Sequence, residues 1–384
     1  LEDFSVATIA RNEEKTIPRL LESVKGVEDI VIVDTGSTDS TVKVAKELGS
    51  RVVEVGDMFI EIPTKTDVKL FKNRYNIEPS FTTESKLFNY GAARNYAMSL
   101  AENDFSFMPD SDEVVEWNID KVRALLPLAD QIAYRFAFSH HSDGSPQLEF
   151  THCKFFRRSK ARWVKKVHEV VAPLDNPTVE NLARRVYTPD MYLHHWQVPN
   201  DNRSNMLPKL EYSILEKDND DRNTYYLARE YYYHHRWEEA IKMFTSYLKL
   251  PGWKPERSQA YIFMGDCYKY SGRGKESIEC YHNALIEDDS RREPFWSLGH
   301  ALYERNNLRG AVAYWVAALE VPYNPNYYLN NMELYTWKIH DQLSLVYDKL
   351  GEDKKAQEQW LEAVKASPND ERILQNSKWF NRKR

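Results

Sequence analysis

Three apolar runs separated by two helical stretches, all within the first 55 residues, restrict what this chain can fold into. Phe4-Ser5-Val6-Ala7-Thr8-Ile9-Ala10 alternates and then turns apolar, Ile30-Val31-Ile32-Val33 is β-branched throughout, and Val52-Val53-Glu54-Val55 follows. Between them lie a helical stretch from Thr16 to about Val24, with Pro18 in its first turn, and another from Ser40 to Leu48, closed by Gly49. Strand, helix and strand in this order imply right-handed crossovers and a parallel sheet. A β-branched run such as 30–33 is expected to be buried on both faces. Open sheets of this kind bind ligands beyond the carboxyl ends of their strands. That places Arg11-Asn12-Glu13-Glu14 and Asp34-Thr35-Gly36-Ser37 at a rim where chemistry is expected.

Residues 57–86 show no clear period and carry Pro63 and Pro79, so they read as a long functional or mobile loop. A helix is predicted from Tyr90 to Leu100, through Gly91-Ala92-Ala93-Arg94-Asn95, and a buried strand over Phe105-Ser106-Phe107-Met108-Pro109. Further strands are expected at 131–138, 154–157, 164–171 and 191–196. Asp110-Ser111-Asp112-Glu113 follows the Phe105 strand. If the segment stays extended, Asp110 and Asp112 share one side. Two like charges there need donors or a cation, and a hard divalent metal that also holds a diphosphate would serve. The competing reading is an exposed acidic turn.

Composition excludes several classes. The chain has 384 residues, 52 basic against 58 acidic, for a net charge of −6, which gives no footprint for nucleic acid. No run approaches the ~18 apolar residues of a membrane span. Cys153, Cys267 and Cys280 are odd in number and widely spaced, so reduced thiols and a cytoplasmic location are expected. No signal peptide is legible.

Taken together, Arg-Asn-Glu-Glu after the first strand, Val-Asp-Thr-Gly-Ser-Thr-Asp-Ser-Thr after the second, the Ala-Ala-Arg-Asn helix and the D-x-D-E run resemble the family 2 nucleotide-sugar glycosyltransferases. The resemblance covers roughly residues 3–200 and extends to the branch with Trp-x4-His-Glu (Trp163 to Glu169). That branch includes lipopolysaccharide-core glucosyltransferases and bacteriocin-peptide glycosyltransferases. It implies a GT-A fold, a Rossmann-like, mostly parallel α/β sheet. It also implies site roles. Ala10, Arg11, Asn12 and Glu13 would frame base and ribose, Asp34 would accept from the uracil N3–H, and Arg94 would suit the diphosphate. Asp110 and Ser111 would meet the ribose or metal, and Asp112 would bind Mn²⁺ or Mg²⁺ directly, with Asp110 and His194 as further metal ligands. His195 is the near rival of His194, because alternation sends the two to opposite faces. Glu169 is the expected general base, with His168 beside it and Trp163 as a sugar platform or plain core. Bland readings stand beside these: Asp34 closing an Asx turn, Arg94 as a surface cation, and Glu169 as a salt-bridged residue.

The second half carries repeats. Leu227, Ala228 and Tyr231 lead to Ala240, Phe244 and Tyr247; Tyr261, Met264, Gly265 and Tyr268 lead to Ser277, Tyr281 and Ala284. Phe295, Leu298, Gly299 and Leu302 lead to Ala311, Trp315 and Ala318; Leu343, Ser344 and Tyr347 lead to Ala356, Trp360 and Ala363. These are helix pairs of tetratricopeptide type, in which small anchors permit close approach and aromatics fill the grooves. The expected organisation is therefore an α/β domain over 1–200, a linker and lead helix over 201–222, and an all-α solenoid of about four pairs over 223–384. An insertion is expected near Val321 to Asn331.

Two other motifs fail on chemistry. Asp34-Thr35-Gly36-Ser37 spells an aspartic-protease signature, but the required second copy is absent from the sequence. His168-Glu169-Val170-Val171 begins like a zinc-peptidase helix, but Ala172 stands where the second ligand belongs. The reading that results is a metal-dependent inverting transferase of a hexose from a UDP-sugar to a glycan, lipopolysaccharide or protein/peptide acceptor, with a homodimer or acceptor docking through the repeats. The alternative is a catalytically inactive GT-A domain within a repeat-based scaffold.

Overall fold

The structure is a computed structural model that describes residues 2–140, 144, 146–176, 181–196, 206–216, 220–324, 327 and 330–376. It divides into two compact units, Leu1–Asp218 and Asn219–Arg384. In the first unit, β1 (Phe4–Ala10), α1 (Ile17–Ser23), β2 (Asp29–Asp34), α2 (Thr41–Glu47) and β3 (Arg51–Glu54) follow the predicted order within a residue or two. β4 (Ile60–Glu61), α3 (Lys65–Tyr75), β5 (Leu87–Phe88), α4 (Tyr90–Ser99), β6 (Phe105–Phe107), β7 (Glu113–Trp117) and α5 (Ile119–Arg123) come next. The unit continues with β8 (Gln131–His140), β9 (Pro146–Arg157), β10 (Ala161–Val164), β11 (Val170–Pro173), β12 (Arg185–His195) and α6 (Met206–Ser213).

Eight strands form one sheet in the order β3-β2-β1-β6-β9-β8-β12-β7. β3, β2, β1 and β6 are mutually parallel, β9 runs antiparallel to β6 and β8, and β7 runs antiparallel to β12. Alternation sends Phe4, Val6 and Ile32 to one face with Leu20, Phe107 and Phe155, and sends Ala7, Val31 and Val33 to the other with Ala97, Met108 and Trp163. The β-branched run is thus buried on both sides, as parallel strands require.

Three expectations need correction. The 57–86 segment is not simply a loop: it contains the eleven-residue α3, started by a reciprocal cap between Thr64 and Asp67. The strand expected over 164–171 is two antiparallel strands, β10 and β11, with Lys165 at φ 74° and His168 at φ 50° in the turn between them. The segment read as linker and lead helix is in part a piece of the first unit. There α6 packs on 57–86, with Ser80 Oγ donating to Glu211 Oε1 at 3.1 Å and Phe81 edge-on to Tyr212 at 5.7 Å. Residues 201–205 and 217–219 of that segment lie outside the described residues.

The second unit is helical. Its pairs are α7 (Asp221–Tyr233) with α8 (Trp237–Tyr247), α9 (Lys254–Tyr270) with α10 (Gly274–Glu287) and α11 (Arg292–Glu304) with α12 (Leu308–Leu319). After the short α13 (Met332–Tyr335) come α14 (Lys338–Lys349) with α15 (Asp353–Ala366), then α16 (Glu371–Gln375). The anchors Ala240, Ser277, Ala311 and Ala356 are all buried. Gly299 lets Trp315 lie against α11: a Cβ there would stand 2.5 Å from Trp315 Nε1. Trp315 is wholly buried and stacked on Trp296 at 5.4 Å, so it has little room to yield. Gly299→Val is therefore expected to destabilise the repeat unit by about 2–3 kcal/mol, read by urea denaturation. An unchanged midpoint would show that the aromatic layer is loosely packed.

Candidate functional site

β1 is flanked by β2 on one side and β6 on the other, which makes the carboxyl ends of these strands a topological switch point. The turns leaving β1 and β2 are laced together there. The Ala10 carbonyl accepts from Thr35 N at 2.9 Å. Asn12, at φ 58°, accepts from Thr38 N at 2.7 Å, and its own N–H donates to Ser37 Oγ at 2.9 Å. Glu13 N donates to Thr41 Oγ1 at 2.7 Å, while Arg11 is exposed. Asp34 is buried, and its carboxylate accepts from Gly36 N and Ser37 N at 3.1 Å each. Asp34 therefore closes the turn in the Asx manner, with Gly36 supplying the positive φ of 97°.

The D-S-D-E run is a turn, not an extended strand end. Glu113 N donates to Asp110 O at 3.1 Å, and Thr8 Oγ1 ties the turn to β1 through Pro109 O at 2.7 Å. Burial, followed by the charges of Asp112 and Asp39, pushes the Glu13 pKa up against the hydrogen bond from Thr16. The two aspartates consequently part company. Asp110 turns to two cations: Arg94 Nη2 on Oδ1, and Lys154 Nζ on Oδ2 at 2.5 Å. Burial alone would raise the Asp110 pKa, but the charges of Arg94 and Lys154 outweigh it and hold the group well below the usual carboxylate range.

Arg94 is buried and is not a surface cation. Its Nε donates to Glu169 Oε1 at 2.6 Å, so one guanidinium bridges the D-S-D-E turn and the expected base. The guanidinium lies over Trp163, 5.0 Å from the ring centroid. Trp163 is core, donating Nε1–H to Met108 Sδ at 3.0 Å, and not an exposed sugar platform. The Glu169 segment reaches α4 because Gly91 has no side chain: a Cβ there would stand 2.3 Å from the Lys165 carbonyl oxygen. Asn95 fastens the same junction through two hydrogen bonds to the Trp163 backbone, of 2.8 and 2.9 Å.

Asp112 meets His195, not His194. Pairing of β12 with β7 sets His195 opposite Glu113, and His195 Nε2 lies 3.0 Å from Asp112 Oδ2. Burial disfavours the imidazolium of His195, yet the hydrogen bond to Asp112 and the charges of Asp112, Glu113 and Asp110 raise its pKa on balance. His194 faces the other way, with Nδ1 3.1 Å from His140 Nε2, and burial lowers its pKa more than Glu116 raises it. Of the two histidines weighed as metal ligands, it is His195 that faces Asp112 and His194 that does not. The sequence reading also missed Lys154 and the capping role of Glu113. The available signal was a lysine directly before the apolar pair Phe155-Phe156.

The metal expectation can be tested against the donors present. Among the described residues, no group of three or more His, Cys, Asp or Glu side chains is arranged to hold a metal ion. Asp112 and His195 form a pair. His195 Nδ1 lies 3.2 Å from the Phe138 carbonyl oxygen, which can only accept, so Nδ1 carries a proton. Nε2 then faces a carboxylate oxygen at hydrogen-bond distance, which calls for a second proton on the ring or for a cation that takes both atoms as adjacent ligands. A divalent cation that draws its other ligands from a diphosphate and water fits such a pair.

An open α/β sheet with an acidic turn at its switch point, followed by tetratricopeptide helix pairs, defines the class. Residues 5–57 match the family model described as Glycosyl transferase family 2, so the chain carries a glycosyltransferase family 2 domain at its N-terminus. An uncharacterised glycosyltransferase of Rickettsia typhi is 28% identical over 144 residues, covering 37% of this chain and 36% of that protein. A TPR repeat-containing protein of Synechococcus elongatus is 26% identical over 171 residues, covering 44% of this chain and 35% of that protein. The matches thus span about a third of the length of these relatives. Among solved structures, MamA aligns at TM-score 0.36 and 12% identity over 44% of this chain and 90% of MamA.

Proposed function

We propose that the N-terminal unit is a metal-dependent, inverting glycosyltransferase that moves a hexose from a UDP-sugar to a glycan, lipopolysaccharide or protein/peptide acceptor. The observation that carries this reading is the Asp112–His195 pair set beside the β1 and β2 turns at the switch point of the sheet. The Ala10–Glu13 turn and Asp34 would frame base and ribose, and Asp112 with His195 would hold Mn²⁺ or Mg²⁺. When bound, such an ion neutralises charge on a departing diphosphate. Glu169 is the proposed base, and Arg94 fixes its position through their ion pair. The repeat unit is proposed to dock the acceptor or a second copy.

Calorimetry with UDP is expected to show binding that requires Mn²⁺, and a UDP-hexose should be slowly hydrolysed under the same conditions. Absence of both in the folded protein would leave the inactive scaffold as the better reading. Glu169→Gln keeps the hydrogen bond to Arg94 but removes the basic oxygen. It is expected to lower turnover by about a hundredfold or more while UDP affinity stays within about threefold. Equal loss of both would remove Glu169 from the role of base.

A further inference from the structure

All four carboxylate oxygens of Asp110 and Glu113 are occupied by groups of the chain itself. Asp110 Oδ1 receives Arg94 Nη2 and its Oδ2 receives Lys154 Nζ at 2.5 Å. Glu113 Oε1 receives the same Lys154 Nζ at 2.7 Å, and its Oε2 receives the Asp110 N–H at 2.7 Å. Lys154 is buried beside them on β9, where Tyr134 Oη accepts from its N–H at 3.0 Å and its carbonyl accepts from Met108 N at 2.9 Å. Its backbone is therefore fixed to β6 and β8, and the ammonium has one place to go. Asp112, two residues from Asp110, meets His195 and, among the described residues, no other cation.

We propose that Lys154 is a positioning residue that withholds Asp110 and Glu113 from metal coordination, so that Asp112 is the one carboxylate of the D-S-D-E run offered to a cation. The inference deepens the transferase reading and rests on it for the identity of the ion. A full set of three carboxylates would grip a free divalent ion, since affinity rises with the number of charged ligands. The lysine bridges two of them with its single positive charge and occupies an oxygen of each, and the site then needs the phosphate oxygens of a donor to complete a shell. Asp110 remains able to accept from a neutral hydroxyl, because about a third of its side chain is exposed. Its charge, however, is compensated twice. Metal and nucleotide would thus bind together or hardly at all.

The test is binding of Mn²⁺ alone, followed by water-proton relaxation or electron paramagnetic resonance, with no nucleotide present. Lys154→Met is expected to bind free Mn²⁺ at least about tenfold more tightly than the natural protein, and Lys154→Arg to restore the weak binding. Lys154→Met that is folded and binds free Mn²⁺ no better than the natural protein would overturn the proposal. If that variant does not fold, Lys154→Met combined with Glu113→Gln removes one charge of each sign from the cluster and is read in the same way. The transferase reading fails separately, through absence of UDP binding and donor hydrolysis in the natural protein, and the Mn²⁺ comparison is unaffected by that result.

Discussion

Arg94→Met is expected to destabilise the N-terminal unit by about 3–5 kcal/mol, the cost of breaking a buried ion pair from one side. The side chain of Arg94 is only 7% exposed, and it serves Asp110 and Glu169 at once, so its loss strands charge on two carboxylates. Lys154 still covers one oxygen of Asp110, but the oxygen of Glu169 held by Arg94 loses that partner. Arg94→Lys keeps the charge without the fork and should recover part of the loss, since a single ammonium is not built to bridge the same two groups. The pH dependence has a definite sign. Asp110 is held below its ordinary value, so it contributes stability above the unfolded pKa of about 3.9, and that contribution fades as pH falls toward the folded value. The difference between natural protein and Arg94→Met is therefore widest near neutrality and narrows below about pH 4. Denaturation read by a probe confined to the N-terminal unit, such as hydrogen exchange of the β1 and β6 amides, measures it. A difference below about 1 kcal/mol at pH 7 would mean that water reaches the cluster and screens it.

Asp112→Asn is expected to do the reverse, leaving stability nearly unchanged and removing function. The Asp112 side chain is 27% exposed and makes one hydrogen bond, to His195, that asparagine can still accept. The stability change should stay within about 1 kcal/mol. Turnover of a UDP-sugar should fall by about a hundredfold or more, because the carboxylate proposed to meet the cation has lost its charge. Full turnover in the folded variant would remove Asp112 from the metal role. The contrast between the two aspartates, one structural and one chemical, is the informative outcome.

Much of the N-terminal architecture is legible because its signals are local. The β-branched 30–33 run, the turn residues after it and Gly49 (φ 90°) each mark an element without reference to distant residues. α3 escaped because its buried face is a single residue, Phe71, which is too little for a helical period. The rim residues Asn12, Glu13 and Asp34 could be placed together because strand–helix–strand order alone aligns the ends of β1 and β2. The ion pairs could not. Lys154 meets Asp110 through the register of β9 against β6, and His195 meets Asp112 through that of β12 against β7. Alternation stated that His194 and His195 face opposite ways; only the pairing of those strands decides which one faces the acid.

The order in which the sheet is threaded has a consequence for biogenesis. Glu169 follows Arg94 by 75 residues. At roughly 5–20 residues per second, a ribosome takes about 4–15 s to deliver it. Within that interval β3, β2, β1 and β6 become available, but the edge of β6 turned away from β1 has no neighbour until β9 emerges. A nascent chain of this length presents an open strand edge with Phe105 and Phe107 on one face, the kind of edge that recruits other strands. Ribosome pausing before β9 would lengthen that exposure, and a chaperone that shields β6 would shorten it.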